Sequence, residues 1–483
     1  MKKIFLFFLI FLNGCQKDPV QFSLSVVANP QEGGLVNPTS GIYNKGESAT
    51  IVAAPNQYYR FKGWSGQWTG SSTVATITMD SDKNIIGNFE KVDNDEDGVM
   101  NQNDICGNTP KGLSVDSSGC SPSQKDTDGD GVTDDLDQCN NTDLNSAIIN
   151  SSGCKVDLFY LADNNYTIKA IDDAEVGMSD YFLNEEYTVI GYEDLIKKIE
   201  EGRDLSNFVT SKITTMKYMF SGYQINGDIS RWDVSNVTDM GGTFRETQFN
   251  GTIGSWDVSN VIEMSQMFFK SKFNQPIGNW DVSNVTDMSE MFESSEFNQP
   301  IGNWDVSSVI NMYRMFLSSE FNQPIRNWDV SNVTDMQGMF VESKFNQPIG
   351  DWDVSNVIKM NYLFYATLFN QPIGDWDVSS VTDMSAMFGY TPFNQPIGDW
   401  DVSNVTSMAG MFLSSKFNQP IGDWDVSSVS NMNSMFYTSS FNQNISNWDV
   451  SNVTNCNLFA YNFPNDPNLI TQNTPNFLIN CGY

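Results

Sequence analysis

The chain has 483 residues, no histidine, and a formal net charge of −33 from 59 acidic and 26 basic residues. The lack of histidine excludes Ser-His-Asp and Cys-His catalytic sites and the usual catalytic zinc sites. It does not exclude enzymes that use only carboxylates, such as glycosidases. The negative charge repels nucleic acid and anionic membrane surfaces, so we expect no nucleic-acid partner. The length of the chain predicts several domains.

The N-terminal segment, residues 1–14, has the pattern of an export signal. Lys2 and Lys3 precede an apolar run, 4–12, that is too short to span a bilayer as a helix. The segment resembles a bacterial lipoprotein signal peptide whose lipobox ends at Cys15. The resemblance implies cleavage before Cys15, acylation of its sulfur, a tether over 15–20, and lipid anchoring at the bacterial cell surface, on the outer membrane. Export would place the other cysteines in an oxidising compartment.

Residues 21–91 alternate between β-rich runs and turn signals. The pattern predicts strands over 22–27, 49–55, 59–64, 76–79 and 84–89. The run from Phe61 to Trp64, followed by Met79-Asp80 and Asn88-Phe89, resembles the internalin-type B repeat of bacterial surface proteins. That resemblance implies a small β-grasp-like module, which we interpret as a spacer.

Residues 92–155 contain two loops with the spacing of a calcium site. Oxygens at loop positions 1, 3, 5, 7, 9 and 12, with glycine at position 6, can surround a hard cation. The candidate ligands are Asp93, Asp95, Asp97, Val99, Asn101 and Asp104 in the first loop, and Asp126, Asp128, Asp130, Val132, Asp134 and Asp137 in the second. The alternative is an acidic linker with no specific metal.

Each loop runs into a pair of cysteines, Cys106 and Cys120 after the first, Cys139 and Cys154 after the second. Four cysteines allow three pairings, and the spacing alone leaves them open. The sequences 104–112 and 115–120 resemble thrombospondin type 3 repeats. The resemblance implies structural calcium as the cofactor and a disulfide within each unit, so this region is expected to form a calcium-binding stalk.

Residues 156–203 are expected to cap the region that follows. Short apolar runs predict strands over 158–161, 166–170 and 187–190, and the spacing of apolar residues predicts a helix over 192–201 that ends at Gly202. A stack of repeats needs such a cap because its first unit would otherwise leave apolar surface and unpaired backbone groups in water.

Residues 204–461 repeat with a period of 24. A fixed period in this range is the signature of stacked units that cannot fold alone. A Trp-Asp pair begins at each of Trp232, Trp256, Trp280, Trp304, Trp328, Trp352, Trp376, Trp400, Trp424 and Trp448. Phe208 lies one period before the first pair and marks an entry repeat.

Within one repeat, Ile277, Trp280 and Val282 have the spacing of a leucine-rich-repeat strand. Apolar residues then recur at every third position over 285–291, which predicts a turn or a short 3₁₀-like stretch. Exposed tryptophans would favour a sugar-binding array, but their recurrence within an apolar register favours stacked ladders in the core.

Polar residues also recur in register. We expect Asn274, Asn284 and their equivalents to satisfy backbone groups at bends, and the stacked Asp281 equivalents to accept hydrogen bonds. In the final repeat Cys456 replaces a methionine, and a disulfide to Cys481 would fix a C-terminal cap over 462–483.

The run Trp-Asp-Val-Ser-Asn-Val-Thr, with its following methionines and phenylalanine, resembles the DUF285 family of BspA-like leucine-rich-repeat surface proteins. We therefore predict a mainly β, multidomain protein with a C-terminal solenoid similar to leucine-rich repeats, preceded by the β-grasp-like module and the stalk. The resemblance implies a surface interaction role without defined chemistry.

The variable positions after each Val-Thr pair are where a partner would be recognised, or else they are unconstrained surface. We expect a non-enzymatic binding or adhesion protein whose partner is an unidentified surface protein, matrix protein or glycan. The alternatives are a passive surface-layer or spacer protein and a carboxylate-dependent carbohydrate-active enzyme, although no repeat is interrupted by the unusual acids that such an enzyme would need.

Overall fold

A computed structural model describes residues 18–142, 148–460, 474–478 and 481. The signal peptide, Cys15 and most of the expected C-terminal cap lie outside these residues. The described residues form two compact units, and the boundary in the chain lies between Val156 and Asp157. Their regular elements are fourteen β-strands, one α-helix and two 3₁₀ turns, so the prediction of a mainly β, multidomain protein is confirmed. Within these residues, no helix is long and apolar enough to span a membrane.

The first unit begins with seven strands in two sheets. Strands β1 and β7 pair in parallel at the centre of a four-stranded sheet, β3-β1-β7-β5, and β2-β4-β6 form an antiparallel sheet. Side chains such as Val26, Ile51, Trp64 and Ile85 form the core of these strands. The strands are β1 (Gln21–Asn29), β2 (Gly34–Asn37), β3 (Ser40–Asn44), β4 (Ser48–Pro55), β5 (Tyr59–Gly66), β6 (Val74–Thr78) and β7 (Lys83–Lys91).

All five strands expected in this module are present, and β2 and β3 are additional. Sequence reasoning missed β2 and β3 because glycine and proline turn signals flank them closely.

The rest of the first unit is mostly turns held by two disulfides. Cys106 bonds to Cys120 and Cys139 bonds to Cys154, which are the pairs that the thrombospondin-type resemblance implies. In the described residues 92–142 and 148–156, the regular structure is limited to the 3₁₀ turn Pro122–Gln124 and the two-residue strands β8 (Ile148–Ile149) and β9 (Lys155–Val156).

The second unit begins with five short strands and one helix. Strand β13 pairs with β14 in parallel and thereby links this segment to the first repeat. Leu195 and Ile199 of the helix are buried in the same hydrophobic core as the repeats. The elements are β10 (Phe159–Leu161), β11 (Ile168–Ala170), β12 (Ser179–Phe182), β13 (Glu185–Val189), α1 (Tyr192–Glu200) and β14 (Phe208–Val209). The predicted helix is confirmed; β12 was not foreseen.

Successive repeats are joined by backbone hydrogen bonds along one segment. The N–H groups of Met264, Gln266, Phe268 and Lys270 donate to carbonyls 23 residues later, at distances of 2.8–3.0 Å. A parallel bridge recurs once per repeat just before this segment, through Thr215, Asp239, Glu263, Asp287, Asn311, Asp335, Lys359, Asp383, Ser407, Asn431 and Asn455. Each repeat therefore lies on the next in constant register.

The leucine-rich-repeat strand predicted over Ile277–Val282 is wrong. The segment is a turn in which the Trp280 N–H donates to the Ile277 carbonyl at 3.1 Å. Gly278 allows the turn to approach the next repeat, because a Cβ there would lie 2.5 Å from the Pro300 carbonyl oxygen. The pairing between repeats instead falls near Asp287, where the sequence pattern predicted only a turn or a 3₁₀-like stretch.

The tryptophans, methionines and phenylalanines of the repeats are buried in one continuous core, as predicted. The Trp328 and Trp352 rings stack with centroids 6.4 Å apart, and those of Phe316 and Phe340 stack at 5.7 Å. Every tryptophan from Trp232 to Trp448 is at most 5% exposed. These indoles are core residues, so the reading in which they form an exposed sugar-binding array is excluded.

Three polar columns follow the core. Asn274 Oδ1 accepts the backbone N–H of Asn298 at 2.9 Å, and the Asn284 side chain donates to the Ser259 carbonyl at 2.7 Å. Asp281 accepts a hydrogen bond of 2.6 Å from the hydroxyl of Ser283. The roles expected for all three columns are thus present.

The array ends at the disulfide between Cys456 and Cys481, both of which are buried. The N–H of Leu458 donates to the Cys481 carbonyl at 2.9 Å, and Phe477 packs edge-on against Phe459 at 4.9 Å. These contacts place residues from the expected cap against the last repeat.

Candidate metal-binding loops and the exposed face of the repeats

Asp93, Asp95 and Asp97 bring carboxylate oxygens within 4.8 Å of one another. Hydrogen bonds from the loop backbone fix two of them. Asp93 accepts the N–H of Glu96 at 2.9 Å, and Asp97 Oδ1 accepts the N–H of Val99 at 2.7 Å. The spacing of one acid at every second residue therefore produces a convergent cluster, because the backbone turns around the side chains.

The first cluster contains carboxylate oxygens that are buried and have no hydrogen-bond donor. These are Asp95 Oδ1 and Asp97 Oδ2. The second oxygen of Asp95 accepts the backbone N–H of Thr109 at 2.7 Å, which directs the free oxygen into the loop. Burying a charged oxygen without a partner is costly, so the geometry calls for a cation at this point.

The second loop has the same arrangement. Asp126, Asp128 and Asp130 lie within 4.8 Å, and Asp128 Oδ1 and Asp130 Oδ2 are again buried and unpartnered. Thr142 donates its backbone N–H to Asp128 at 2.7 Å. The N–H of Gly131, which donates to Asp126 at 2.8 Å, lowers the pKa of that carboxyl.

Asp104, at loop position 12, lies beside the first cluster. Burial raises its pKa, and the neighbouring charges of Asp95, Asp97 and Asp93 act in the same direction. Its Oδ1 accepts the N–H of Cys106 at 2.8 Å. A fourth carboxylate here adds to the like-charge repulsion within the loop.

Gly119 permits this approach. A Cβ at Gly119 would lie 3.1 Å from Asp97 Oδ2 and closer still to Asp104 Oδ1. Gly153 has the equivalent place beside Asp130 and Asp137 in the second loop. Sequence reasoning missed Gly119 and Gly153, and also Thr109 and Thr142. Both loops show the same signal: a glycine lies directly before the second cysteine, and a threonine lies three residues after the first cysteine.

The residues at position 9 are engaged elsewhere. Asn101 accepts the N–H of Asn94 at 2.8 Å, and Asp134 accepts the N–H of Thr127 at 2.8 Å and its hydroxyl at 2.7 Å. Val99 and Val132 follow the clusters and donate their N–H groups to Asp97 and Asp130. The clusters thus consist of positions 1, 3 and 5, and the ligand roles of positions 7, 9 and 12 stay predictions.

The loops fit a hard divalent cation. All converging groups are oxygens, two in each cluster are buried without a donor, and backbone hydrogen bonds hold the carboxylates in place. Calcium prefers such oxygen-only sites, whereas zinc and copper prefer nitrogen or sulfur ligands.

The repeats expose a second candidate site along the segment that joins them. Two positions of each repeat lie two and six residues after the first methionine of this segment. After Met264 they are Gln266 and Lys270, whose φ angles are 55° and 50°. This left-handed backbone turns their side chains outward, while the intervening Met267 and Phe268 remain buried. The exposed positions change from repeat to repeat in charge and size, whereas the inward positions hardly change.

Four overlapping segments match the family described as "Mycoplasma protein of unknown function, DUF285": residues 192–296, 267–371, 293–392 and 366–471. Together they cover 192–471, more than half of the 483 residues. Residues 24–93 match the "Divergent InlB B-repeat domain", and residues 79–113, which include the first acidic loop, match the "Thrombospondin type 3 repeat". No curated protein and no solved structure matches the chain.

Proposed function

Because the chain belongs to the DUF285 family, we propose that it is an exported cell-surface protein that acts by binding or adhesion rather than by catalysis. Its repeats would form a solenoid similar to leucine-rich repeats, and this solenoid would carry the recognition surface. The partner would be a surface protein, a matrix protein or a glycan.

One observation carries this proposal. The repeats combine a core that is nearly identical from unit to unit with outward positions that vary among the units. Glu290 and Arg314, for example, occupy equivalent positions 24 residues apart and have opposite charges. A frame that fixes the backbone and varies the exposed side chains suits recognition, because large contact surfaces can then be built without changing the fold.

The acidic loops would support the binding region. We assign structural calcium to Asp93, Asp95 and Asp97, with Asp104, and to the equivalent Asp126, Asp128, Asp130 and Asp137. Bound calcium would neutralise the clustered carboxylates and stiffen residues 92–155 as a stalk. The module of residues 21–91, proposed as β-grasp-like, would be a spacer, and the three disulfides are consistent with an oxidising compartment.

Lipidation of Cys15 would attach the protein to a membrane, with the outer membrane as the proposed location. Metabolic labelling with a fatty-acid analogue tests this point directly. The Cys15→Ser variant should lose the label and appear in the soluble fraction.

The binding function is tested with the purified full chain on glycan arrays, immobilised matrix proteins and whole cells. The proposal predicts saturable binding that weakens when Glu290, Arg314 and Tyr313 are replaced by serine. A matched control replaces Asp375, Asp399 and Asp423, which are exposed on another part of the repeats, with asparagine. Self-association at high concentration without binding to any of these surfaces would instead favour a passive surface-layer protein.

A further inference from the structure

Three tyrosines from two successive repeats form an exposed aromatic cluster. The ring of Tyr365 contacts those of Tyr362 and Tyr390 edge-on, with centroids 5.6 and 5.4 Å apart. Tyr362 and Tyr390 are 43% and 52% exposed, and the neighbouring Leu368 is 68% exposed. We call Tyr362, Tyr365 and Tyr390 the tyrosine cluster.

The fold does not require tyrosine at these places. Tyr362 and Tyr390 have φ angles of 62° and 55°, a left-handed backbone that is unfavourable for bulky side chains. Gly338 and Gly410 occupy the position of Tyr362 in neighbouring repeats. Gly389 leaves room for the Tyr365 ring, since a Cβ there would lie 2.9 Å from it. The aromatic rings are therefore local additions to a frame that accepts smaller residues.

Elsewhere on this segment, cations of the chain itself cover two aromatic rings, the buried Phe269 and the half-buried Tyr313. Arg245 lies 4.7 Å and Lys270 lies 5.0 Å from the centroid of Phe269. Arg314 covers Tyr313 at 4.9 Å. Phe269 occupies the same repeat position as Tyr365, four repeats earlier. At these two places the segment pairs an aromatic ring with a cation of the chain itself.

No lysine or arginine lies over the tyrosine cluster in the part of the chain that the structure describes. The charged group that acts on it is Glu342, whose N–H donates to the Tyr365 carbonyl at 2.9 Å. Burial raises the pKa of Tyr365, and the charges of Tyr390, Tyr362 and Glu342 act in the same direction. The cluster is therefore an aromatic surface with one acid nearby, and within the described residues no cation covers its ring faces.

We infer that the tyrosine cluster binds an arginine side chain in an extended segment of a partner protein. The guanidinium group would stack on the exposed rings as Arg314 stacks on Tyr313, and Glu342 would attract its charge. Tyrosine and arginine are among the residues that contribute most to protein interfaces. This inference rests on the proposed binding function and names the class of partner for one part of the surface.

The test uses the full chain and a fluorescent peptide of alternating glycine and arginine, at about 150 mM salt to screen general attraction to the acidic protein. A variant combines Tyr362→Gly, Tyr365→Leu and Tyr390→Ser, the residues found at the same positions in neighbouring repeats, Gly410, Leu413 and Ser414. The control is Tyr181→Ser, which removes a tyrosine that is 74% exposed and lies outside the repeats. Thermal unfolding verifies that both variants fold.

The inference predicts that the triple variant binds the arginine peptide about tenfold more weakly than the wild type does. The control variant should bind the peptide as tightly as the wild type. Replacing arginine by neutral citrulline should reduce wild-type binding by at least as much. Equal binding by wild type and triple variant would overturn the inference, because general charge attraction would then account for the binding.

Failure of the wider function gives a different result. If the wild type binds the peptide through the tyrosine cluster but binds no cell, matrix protein or glycan, the inference about this site holds and the proposed function fails. If the triple variant retains full binding to a cell or matrix surface and to the peptide, the function holds and the inference fails.

Discussion

The indole N–H of Trp280 donates a hydrogen bond of 3.2 Å to the backbone carbonyl of Ile253, in the preceding repeat. The same bond, 27 residues apart, occurs at every repeat tryptophan from Trp232 to Trp448. Each tryptophan therefore fills the core of its own repeat and satisfies a buried acceptor of another. This double role explains why tryptophan persists at this position.

Replacing Trp328 separates these two contributions. Trp328→Ala should lower the free energy of unfolding by about 3–5 kcal/mol, because it removes a buried ring and one of the two N–H donors to the Ile301 carbonyl, the other being the backbone N–H of Trp304. Trp328→Phe keeps an aromatic ring but loses the donor, so we expect a loss of about 1–3 kcal/mol. Urea unfolding of the repeats measures both values. The exposed neighbour Asn327→Ala should change stability by less than about 0.5 kcal/mol, and a comparable loss there would refute the assignment.

The asparagine ladder makes a second prediction. Asn322 Oδ1 accepts the N–H of Asn346 at 2.9 Å and the side-chain amide of Gln347 at 3.1 Å. Asn322→Ala should cost about 1–2 kcal/mol, whereas Asn322→Asp retains an acceptor and should cost less. Hydrogen exchange at Asn346 reports the same loss locally. Equal effects of the two substitutions would show that the acceptor is not what stabilises the bend.

Periodicity made the repeats predictable. The recurrence of tryptophan every 24 residues gave the stacking, the core and the aspartate contacts, because a residue that recurs in register must face the same environment each time. The strand at Ile277–Val282 failed because that apolar spacing also fits a tight turn. Only the close approach of Gly278 to the next repeat, which no single repeat reveals, distinguishes the two.

The acidic loops were predictable at positions 1, 3 and 5, where the spacing itself makes the carboxylates converge. The engagement of Asn101 and Asp134 with the loop backbone was not predictable, since side-chain amides and carboxylates serve equally well as ligands and as hydrogen-bond acceptors. The tyrosine cluster also escaped notice. Tyr390 belongs to the repeat after that of Tyr362 and Tyr365, and it meets Tyr365 only because successive repeats lie in register.

Calcium binding is predicted to depend on the free oxygens of the two clusters. Asp97→Asn together with Asp130→Asn should abolish high-affinity calcium binding in a calorimetric titration of the full chain. Asp135→Asn, which removes an exposed acid of the second loop that is not among the candidate ligands, should leave it unchanged.

Removing calcium with a chelator should accelerate hydrogen exchange across residues 92–142, because the clustered carboxylates would then repel one another. Exchange in the repeats should not change. Identical exchange of residues 92–142 with and without chelator would count against a structural metal in these loops.

Acid should weaken the repeats. Hydrogen bonds from the serine hydroxyls two residues onward lower the pKa of Asp305, Asp377 and Asp425 below the ordinary value of 3.8. A carboxyl whose pKa is lowered by folding stabilises the protein above its unfolded pKa. This contribution is lost as the pH falls through 3.8 toward the folded value.

Urea midpoints between pH 7 and pH 2.5 measure this loss. The triple replacement of these three aspartates by asparagine should reduce the change in midpoint. Replacement of Asp375, Asp399 and Asp423, which removes the same charge without removing a serine hydrogen bond, should preserve it. A change in midpoint that is the same in both variants would assign the acid sensitivity to net charge instead.

The disulfide at the end of the array should stabilise the last repeat. Closing a loop of 25 residues contributes about 3–4 kcal/mol in the chain-entropy model. The double variant Cys456→Met and Cys481→Ser restores the methionine of the other repeats but removes the cross-link. We expect faster hydrogen exchange over residues 448–460 and little change near Trp328; unchanged exchange at the end would mean that packing alone holds it.

Accessibility of the indoles tests the stacked core most directly. Acrylamide quenching of tryptophan fluorescence compares the native chain, in which ten of the twelve tryptophans belong to the repeats, with the chain in urea. The stacked arrangement predicts a small native quenching constant that rises several-fold on unfolding. A native constant close to the unfolded one would place these indoles in water and contradict the structure on which the proposed function depends.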